Sequence, residues 1–235
     1  MNPKVSIIIP FYNCSYVAHA INSALNQTYP NIEIIVVDDG STRYVEHLDH
    51  FKDKIIYVRK DNGGTATALN LGIKNASGEY IAWLSSDDYF LPEKISKQLA
   101  FMQSNQADIS YTNFDVVDKH NHLIHSAVSQ KFSTIKELYE TMTIGNPING
   151  CTVMMRKTLF QKVGYFNPDL KFTQDYCMWF RVLFHGYHMY FLDEPLTKYR
   201  IHDESTTHNN LLQLNTEANY VISYYGSLLR DKFKE

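Results

Sequence analysis

The sequence predicts an α/β protein with a mostly parallel central sheet that is flanked by helices. Short apolar runs alternate with amphipathic stretches of roughly ten to fifteen residues, which is the pattern of βαβ units. The early runs are mostly apolar, as is typical of strands buried on both faces of a parallel sheet. Three of them end directly in polar residues, and open α/β sheets bind ligands outside the carboxyl ends of their strands.

The N-terminal half supplies the parallel strands. Apolar, β-branched runs predict strands at residues 5–9, 32–37, 55–58 and 80–84. Helices are predicted between and after them, at residues 15–26, 65–77 and 93–104. Pro10 ends the first strand, and Pro92 suits the first turn of the third helix. The first, second and fourth strands therefore bring three polar loops to one edge of the sheet.

After Asp108 the alternation is lost and a small antiparallel element is predicted in the C-terminal half. Residues 108–117 and 123–127 read as a strand pair around a polar turn. Further strands are predicted at residues 152–155, 189–192 and 196–199, and helices at residues 135–141, 157–163, 175–184 and 211–233. We expect the last helix to pack on the domain; the alternatives are that it contacts a partner or lies on a membrane surface.

Composition restricts the class of protein. A chain of 235 residues with 44% apolar residues fits one large α/β domain. The net charge of −3 and the absence of a basic run argue against a nucleic-acid partner. Three widely spaced cysteines indicate buried thiols in a reducing compartment rather than disulfides. No apolar stretch reaches the roughly 18 residues of a membrane span, so we expect a soluble, cytoplasmic protein.

Several common catalytic motifs are missing. The sequence contains neither G-x-G-x-x-G nor G-x-x-x-x-G-K-[ST], which disfavours a dinucleotide-dependent dehydrogenase and a P-loop kinase. The nucleophile motif G-x-S-x-G of α/β-hydrolases is also absent. A nucleotidyltransferase would carry a glycine-rich loop after the first strand, where this chain has Pro-Phe-Tyr-Asn.

Two adjacent carboxylates, Asp87 and Asp88, follow the predicted strand at residues 80–84. At the carboxyl edge of a sheet, such a pair can hold a hard divalent cation while leaving room for phosphate oxygens. The alternative is a solvated acidic turn that caps the helix after it.

Six motifs occur in an order that resembles the family 2 glycosyltransferases of the GT-A fold. They are PFYN at residues 10–13, VDDGS at 37–41, NGGTATALNLGIKNASG at 62–78, WLSSDD at 83–88, QDYCMWFR at 174–181 and YRIH at 199–202. The resemblance covers roughly residues 4–205 and implies a Rossmann-like, mostly parallel sheet. It also implies an inverting enzyme that uses Mg²⁺ or Mn²⁺ to transfer a sugar from a nucleotide-sugar, expected to be a UDP-sugar, to a hydroxyl of a cell-surface glycan or its lipid-linked precursor.

The resemblance also implies how the chain is divided. Residues 1–235 are expected to form one GT-A domain, in which residues 1–105 bind the nucleotide-sugar and residues 106–208 bind the acceptor. Residues 209–235 are expected to form a C-terminal helical tail.

The family's nucleoside pocket corresponds to Pro10, Phe11, Tyr12 and Asp39. The resemblance implies that Tyr12 or Phe11 lies against a uracil-like ring and that the carboxylate of Asp39 accepts its ring N–H. Core packing is the alternative for both aromatic rings. Asn62 corresponds to the loop under the donor, where the small residues that follow it permit close backbone approach.

The family's D-x-D-like signature ends at Asp87, which is therefore the expected metal ligand and donor contact. Asp88 is the next candidate, and His202 of YRIH matches a histidine that reaches the metal or the diphosphate. The sequence departs from the signature at its first acid, which is Ser85 here. Magnesium tolerates this loss because it commonly takes only one or two protein carboxylates together with phosphates and water.

Asp175 matches the family's catalytic base. Displacement at the anomeric carbon requires the acceptor hydroxyl to lose a proton, and a carboxylate within hydrogen-bond reach can accept it. The alternative is that Asp175 only caps the helix that it begins. Gln174 replaces the usual Glu, and Leu69 stands where many members have an Arg that contacts phosphates. These departures leave open a non-catalytic nucleotide-sugar-binding subunit of a glycan-synthesis complex.

Overall fold

The computed structural model describes residues 2–204 and 210–232, and it has the expected α/β architecture. The strands are β1 Val5–Phe11, β2 Ile32–Asp38, β3 Ile56–Arg59, β4 Tyr80–Trp83, β5 Tyr89–Phe90, β6 Ile109–Val117, β7 Leu123–His125, β8 Met154–Arg156 and β9 Tyr190–Arg200. The α-helices are α1 Val17–Leu25, α2 Thr65–Asn75, α3 Lys94–Ser104, α4 Ile135–Met142, α5 Leu159–Val163, α6 Gln174–Phe184 and α7 Leu211–Lys232. Short 3₁₀ helices cover Val45–Phe51 and Gly150–Thr152.

A single mixed sheet runs through both halves of the chain. Its order is β3-β2-β1-β4-β8-β6-β9-β5, with β7 paired to β6. Strands β3, β2, β1 and β4 are mutually parallel, which confirms the predicted βαβ arrangement. Strand β8 pairs antiparallel with both β4 and β6, and β6 pairs antiparallel with β7, which gives the antiparallel element of the C-terminal half.

Strand β1 is buried on both faces, as its largely apolar sequence predicts. Ile7 and Ile9 pack in one hydrophobic cluster with helix α1, whereas Ile8 packs in a second cluster with helix α2. Successive side chains of a strand point to opposite faces, so one run of isoleucines serves two layers of helices. Gly72 of α2 brings that helix close to the sheet, since a Cβ there would lie 2.4 Å from Cγ2 of Ile8.

Two strands differ from the sequence-based expectation. The segments 189–192 and 196–199 form one strand, β9, which passes through Pro195 and pairs parallel with β6 across a register shift near Asn113. The two-residue strand β5, which was not predicted, pairs antiparallel with β9.

The acidic turn at residues 84–88 joins β4 to β5. Strand β4 lies beside β1 in the middle of the sheet, whereas β5 lies beyond β9 at one end. The turn is tight, since the amide of Asp88 donates to the carbonyl of Ser85 at 3.2 Å.

Helix α7 packs on the domain, which was the expected arrangement of the tail. Val221 and Leu229 are fully buried in the larger hydrophobic cluster, and the Tyr139 hydroxyl of α4 donates to the Gly226 carbonyl at 2.9 Å. The predicted end of the helix at Phe233 lies outside the described residues. Across residues 2–204 and 210–232, no helix has the length and apolar content needed to cross a membrane.

Candidate active site

The loops after β1, β2 and β4 lie at one edge of the sheet, because the three strands are parallel and in register. Phe11 pairs with Asp38 at the ends of β1 and β2, and Ile8 pairs with Trp83 of β4. The segments that follow begin at Tyr12, Asp39 and Leu84. Ligand sites of open α/β sheets occupy this edge.

The two aromatic residues of the first loop differ in exposure. Pro10 and Phe11 belong to β1, and the Phe11 ring is 0% exposed within the cluster that also holds Ile9. The Phe11 ring therefore packs in the core, which was the alternative for this residue, and Tyr12 is the ring that stays predicted to face a base. Tyr12 is 53% exposed, which leaves its ring free of the core to face a ligand.

Asp39 is buried and holds the loop of residues 61–64. This segment is called the donor loop because the family resemblance implies that the nucleotide-sugar lies over it. Its Oδ1 accepts from the Lys60 ammonium and from the Gly63 amide at 3.0 Å, and its Oδ2 accepts from the Gly64 amide at 2.7 Å. The Asn62 side chain donates to the Asp39 carbonyl at 3.0 Å. Asp39 and Asn62 thus lie together. Oδ2 of Asp39 keeps a lone-pair position that can accept one more hydrogen bond.

A glycine with positive φ lets the loop after β2 approach the donor loop. Gly40 has φ +80°, and a Cβ at this position would lie 2.8 Å from the Asn62 amide nitrogen. The preceding acid, Asp38, is fully buried and accepts from the Ser41 amide at 2.7 Å and the Tyr57 hydroxyl at 2.6 Å. Asp38 therefore stabilises the loop after β2.

Asp87 and Asp88 have different environments although they are adjacent. The Asp87 side chain is 28% exposed, and its Oδ2 lies 3.1 Å from Nε2 of His202. Asp88 is 2% exposed, and its Oδ1 accepts from the Arg200 amide at 2.9 Å. Burial, and then repulsion by Asp87, raises the pKa of Asp88 well above its usual range. Because Asp88 is buried and bonded to the Arg200 amide, Asp87 is the better placed of the two acids to face a ligand, and the assignment of Asp88 to the metal stays a prediction.

Arg200 holds the acidic turn from behind. It is 1% exposed, and its Nε donates to the Asp87 carbonyl at 2.8 Å. Its other nitrogens lie 2.7 Å from Oδ1 of Asn121 and 2.9 Å from Nδ1 of His19. One guanidinium therefore ties the turn to strand β9, the β6–β7 connection and helix α1.

A divalent cation fits Asp87 and His202. A partly exposed carboxylate and an imidazole nitrogen lie 3.1 Å apart. The carboxylate is a ligand that both Mg²⁺ and Mn²⁺ take alongside phosphate and water, whereas the imidazole suits a transition-metal ion such as Mn²⁺ better than Mg²⁺. Within the described part of the chain, no group of three or more His, Cys, Asp or Glu side chains is arranged to hold a metal by itself. The residues thus fit a cation that is also held by a bound ligand.

Asp175 lies in the first turn of α6. Its Oδ1 accepts from the Tyr176 amide at 2.7 Å, and its Oδ2 accepts from the side chain of Asn146 at 3.0 Å. Burial raises its pKa to about 6, although both hydrogen bonds act to lower it. A carboxylate with this pKa is ionised at neutral pH and is a stronger proton acceptor than an ordinary Asp.

Contacts and short stretches of chain together connect the three acidic segments. Lys171, four residues before Asp175, donates from Nζ to the Gly63 carbonyl at 2.9 Å, and Gly63 is bonded to Asp39. On the other side, the loop of Asn146 leads to Cys151, whose Sγ lies 3.0 Å from Oγ of Ser85 in the acidic turn. The base candidate is therefore linked to the donor loop and to the metal candidate.

Four residues of the site were not found from the sequence. Arg200 belongs to the motif YRIH, and this position in a family motif is the signal that indicates it. Lys60, Asn146 and Cys151 have no motif that distinguishes them from surface or core residues. Leu69, where a phosphate-contacting Arg is common, is 1% exposed and belongs to the core.

Comparison with known proteins identifies the family. The glycosyl transferase family 2 model matches residues 6–164. An uncharacterized glycosyltransferase of Rickettsia typhi is 43% identical over 91% of this chain and 69% of the relative, whereas this chain spans 38% of another from Rickettsia conorii. The Escherichia coli UDP-Glc:alpha-D-GlcNAc-diphosphoundecaprenol beta-1,3-glucosyltransferase WfaP is 33% identical over 93% of this chain and 86% of its own.

A solved structure has the same fold. The S. aureus TarS 1–349 complex with UDP-GlcNAc superimposes with a TM-score of 0.76 and 21% identity, over 94% of this chain and 66% of that one. This similarity confirms the GT-A fold, and the family match covers most of the chain. The chain therefore belongs to glycosyl transferase family 2 and is a glycosyltransferase.

Proposed function

We propose that this glycosyltransferase moves a sugar from a UDP-sugar to a hydroxyl of a cell-surface glycan or its lipid-linked precursor, with inversion at the anomeric carbon. The observation that carries the proposal is the environment of Asp175, a carboxylate with a pKa of about 6 that contacts join to the donor loop. The name of WfaP includes a UDP-sugar donor and a lipid diphosphate acceptor, and TarS has been solved with UDP-GlcNAc, which supports this choice of substrates.

In this mechanism the Tyr12 ring lies against the base of the donor, and Oδ2 of Asp39 accepts its ring N–H. Pro10 and Asn62 shape the same pocket. Asp175 accepts the proton of the acceptor hydroxyl as the hydroxyl oxygen bonds to the anomeric carbon and the bond from that carbon to the diphosphate breaks. Attack from the face opposite the leaving group inverts the configuration.

The proposed cofactor is Mg²⁺ or Mn²⁺, which Asp87 and His202 would hold when the donor is bound. When bound, this cation neutralises the charge that develops on the departing phosphate. Asp88 and Arg200 keep the backbone of Asp87 in place.

A donor panel tests the proposal. The full chain is mixed with UDP-, GDP-, dTDP- and CMP-sugars, with and without Mn²⁺, and its melting temperature is recorded. A UDP-sugar should raise the melting temperature most, and Mn²⁺ should increase the shift, because a ligand that binds only the folded state stabilises it. Release of UDP with a glycan or lipid-linked acceptor should then stop with EDTA and resume with Mn²⁺. Turnover that continues in EDTA would remove the metal from the mechanism.

A second candidate is a nucleotide-sugar-binding subunit without catalytic activity. It is favoured by Ser85, which stands at the first acid of the family's metal signature and contacts Cys151, and by Gln174, a neutral residue before the proposed base. Both candidates predict donor binding. Hydrolysis of the bound donor in the absence of acceptor separates them, since a non-catalytic subunit should release no UDP.

A further inference from the structure

The C-terminal helix α7 reaches the segment that precedes the proposed base through one carboxylate, that of Glu217. Its Oε1 accepts from the Lys171 amide at 2.9 Å. Its Oε2 accepts from the Phe172 amide at 2.9 Å, the Thr173 amide at 3.1 Å and the Thr173 hydroxyl at 3.0 Å. Three consecutive amides and one hydroxyl therefore converge on a single side chain.

This set of contacts fixes the start of helix α6. Three successive N–H groups form a concave site for an anion, and Glu217 supplies the anion from within the chain. Thr173 is 4% exposed, and its carbonyl accepts from the Cys177 amide at 2.9 Å, so the same residue receives the Glu217 contacts and begins the helix. Asp175 is two residues further along and therefore has little freedom to move separately.

The same segment also contacts the donor loop. Nζ of Lys171 donates to the Gly63 carbonyl at 2.9 Å, and the Gly63 amide donates to Asp39 at 3.0 Å. Glu217 holds the backbone of Lys171. Its hydrogen bonds therefore fix both Lys171, which contacts the donor loop, and the start of the helix that carries Asp175.

We propose that Glu217 is a positioning residue for catalysis, which acts by holding residues 171–173 so that Asp175 meets the acceptor hydroxyl. The inference rests on the proposed role of Asp175. Glu217 lies on a helix beyond residues 6–164, which the family model matches. A role in docking the helix alone is the competing explanation, and buried apolar residues such as Val221 and Leu229 already provide that docking.

The first test compares Glu217→Ala and Glu217→Gln with Gln213→Ala, an exposed position on the same helix. Glu217→Ala should lower kcat for sugar transfer about 10- to 100-fold, since small misplacements of catalytic groups have effects of this order. Glu217→Gln keeps an acceptor oxygen at the position of Oε2 and should give a smaller loss. The acid limb of the pH–rate profile should shift away from that of the control in Glu217→Ala, because a displaced Asp175 changes both the burial and the hydrogen bonds that together set its pKa.

A purely structural role would lower the melting temperature but leave kcat per folded molecule and the pH profile equal to those of Gln213→Ala. That result would overturn the inference. If Glu217→Ala does not fold, the comparison rests on Glu217→Gln. A kcat and an acid limb of Glu217→Gln equal to those of Gln213→Ala would then overturn the inference.

A double variant separates this inference from the proposed function. In an Asp175→Asn background, Glu217→Ala should cause no further loss of kcat, because residues that act through one group are not additive. Wild-type turnover by Asp175→Asn would show that the base assignment itself is wrong. A strongly impaired Asp175→Asn together with a fully active Glu217→Ala would overturn only the positioning role.

Discussion

Asp175 combines burial with two hydrogen bonds, and the balance sets its pKa. Burial disfavours the charged carboxylate, whereas the Tyr176 amide and the Asn146 side chain favour it. The result is a pKa of about 6, above the usual value for Asp. Because the proposed mechanism uses the ionised form, transfer should be fully active above this pH and should fall as the pH decreases through it.

Replacing Asp175 with Asn removes the proposed base while keeping the size of the side chain. We expect kcat for transfer to fall about 10²- to 10⁴-fold, the usual contribution of general base catalysis. The dissociation constant of the donor, measured by calorimetry, should stay near the wild-type value. A variant that binds the donor normally and turns over at the wild-type rate would contradict the assignment.

Asn146 provides a test of the pH dependence. Asn146→Ala removes a hydrogen bond to the charged form of Asp175, so the pKa of Asp175 should rise and the acid limb of kcat should move above pH 6. The measurement is a pH–rate profile from about pH 5 to 9, a range that brackets the limb. Gln161→Ala, at an exposed position, serves as the control. A limb that stays in place or moves to lower pH would show that this bond does not tune the base.

The two adjacent acids of the turn should respond differently to substitution. Asp87→Asn should abolish the extra thermal shift that Mn²⁺ gives in the presence of donor, because an amide is a weaker ligand than a carboxylate. Asp88→Asn should keep that shift, since its carboxyl group contacts the Arg200 amide instead. Equal loss in both variants would show that Asp88 also holds the cation.

The sequence predicted which segments carry the site but not the role of each neighbouring side chain. Asp87 and Asp88 are chemically identical side chains, and one difference between them is the hydrogen bond that Asp88 accepts from the amide of Arg200, a residue 112 positions further along the chain. Phe11 was ambiguous for a similar reason, since only the extent of β1 shows that its ring belongs to the core.

At the scale of elements, helix α2 lies unusually close to strand β1 at Gly72. Gly72→Ala should destabilise the protein by about 1–3 kcal/mol, the usual cost of overpacking, because the new methyl group would meet the buried Ile8. Alanine's higher helix propensity would offset up to about 1 kcal/mol of this. Urea denaturation measures the difference. Gly145→Ala, where a Cβ would meet nothing within 4 Å, is the control, and equal midpoints for the two variants would refute the close contact.

The sequence predicted the parallel strands well because each is a mostly apolar run rich in β-branched or aromatic residues. Strand β5 was missed since a two-residue strand has no periodicity to detect. Strand β9 was divided in two because Asp193, Glu194 and Pro195 have the composition of a turn. In the structure, a register shift of β6 against β9 between Thr112 and Phe114 accommodates this segment.

At the scale of the whole molecule, helix α7 is part of the hydrophobic core. Leu229 is fully buried, whereas its neighbour Leu228 is 42% exposed. Leu229→Ala should lower the free energy of unfolding by about 2–5 kcal/mol, as for other buried leucines. Leu228→Ala should have a much smaller effect in the same urea titration. If the two variants were equally stable, the helix would not be docked on the core in solution.

The short connection between β4 and β5 has a geometric consequence for the sheet. Three strands, β8, β6 and β9, separate the two along the hydrogen-bonded order, and four steps between neighbouring strands would span about 19 Å in a flat sheet. Five residues folded into a tight turn do not extend that far, since only a fully stretched chain approaches about 3.5 Å per residue. The sheet must therefore curve until β4 and β5 approach each other, and the segment with Asp87 bridges the gap between these two strands.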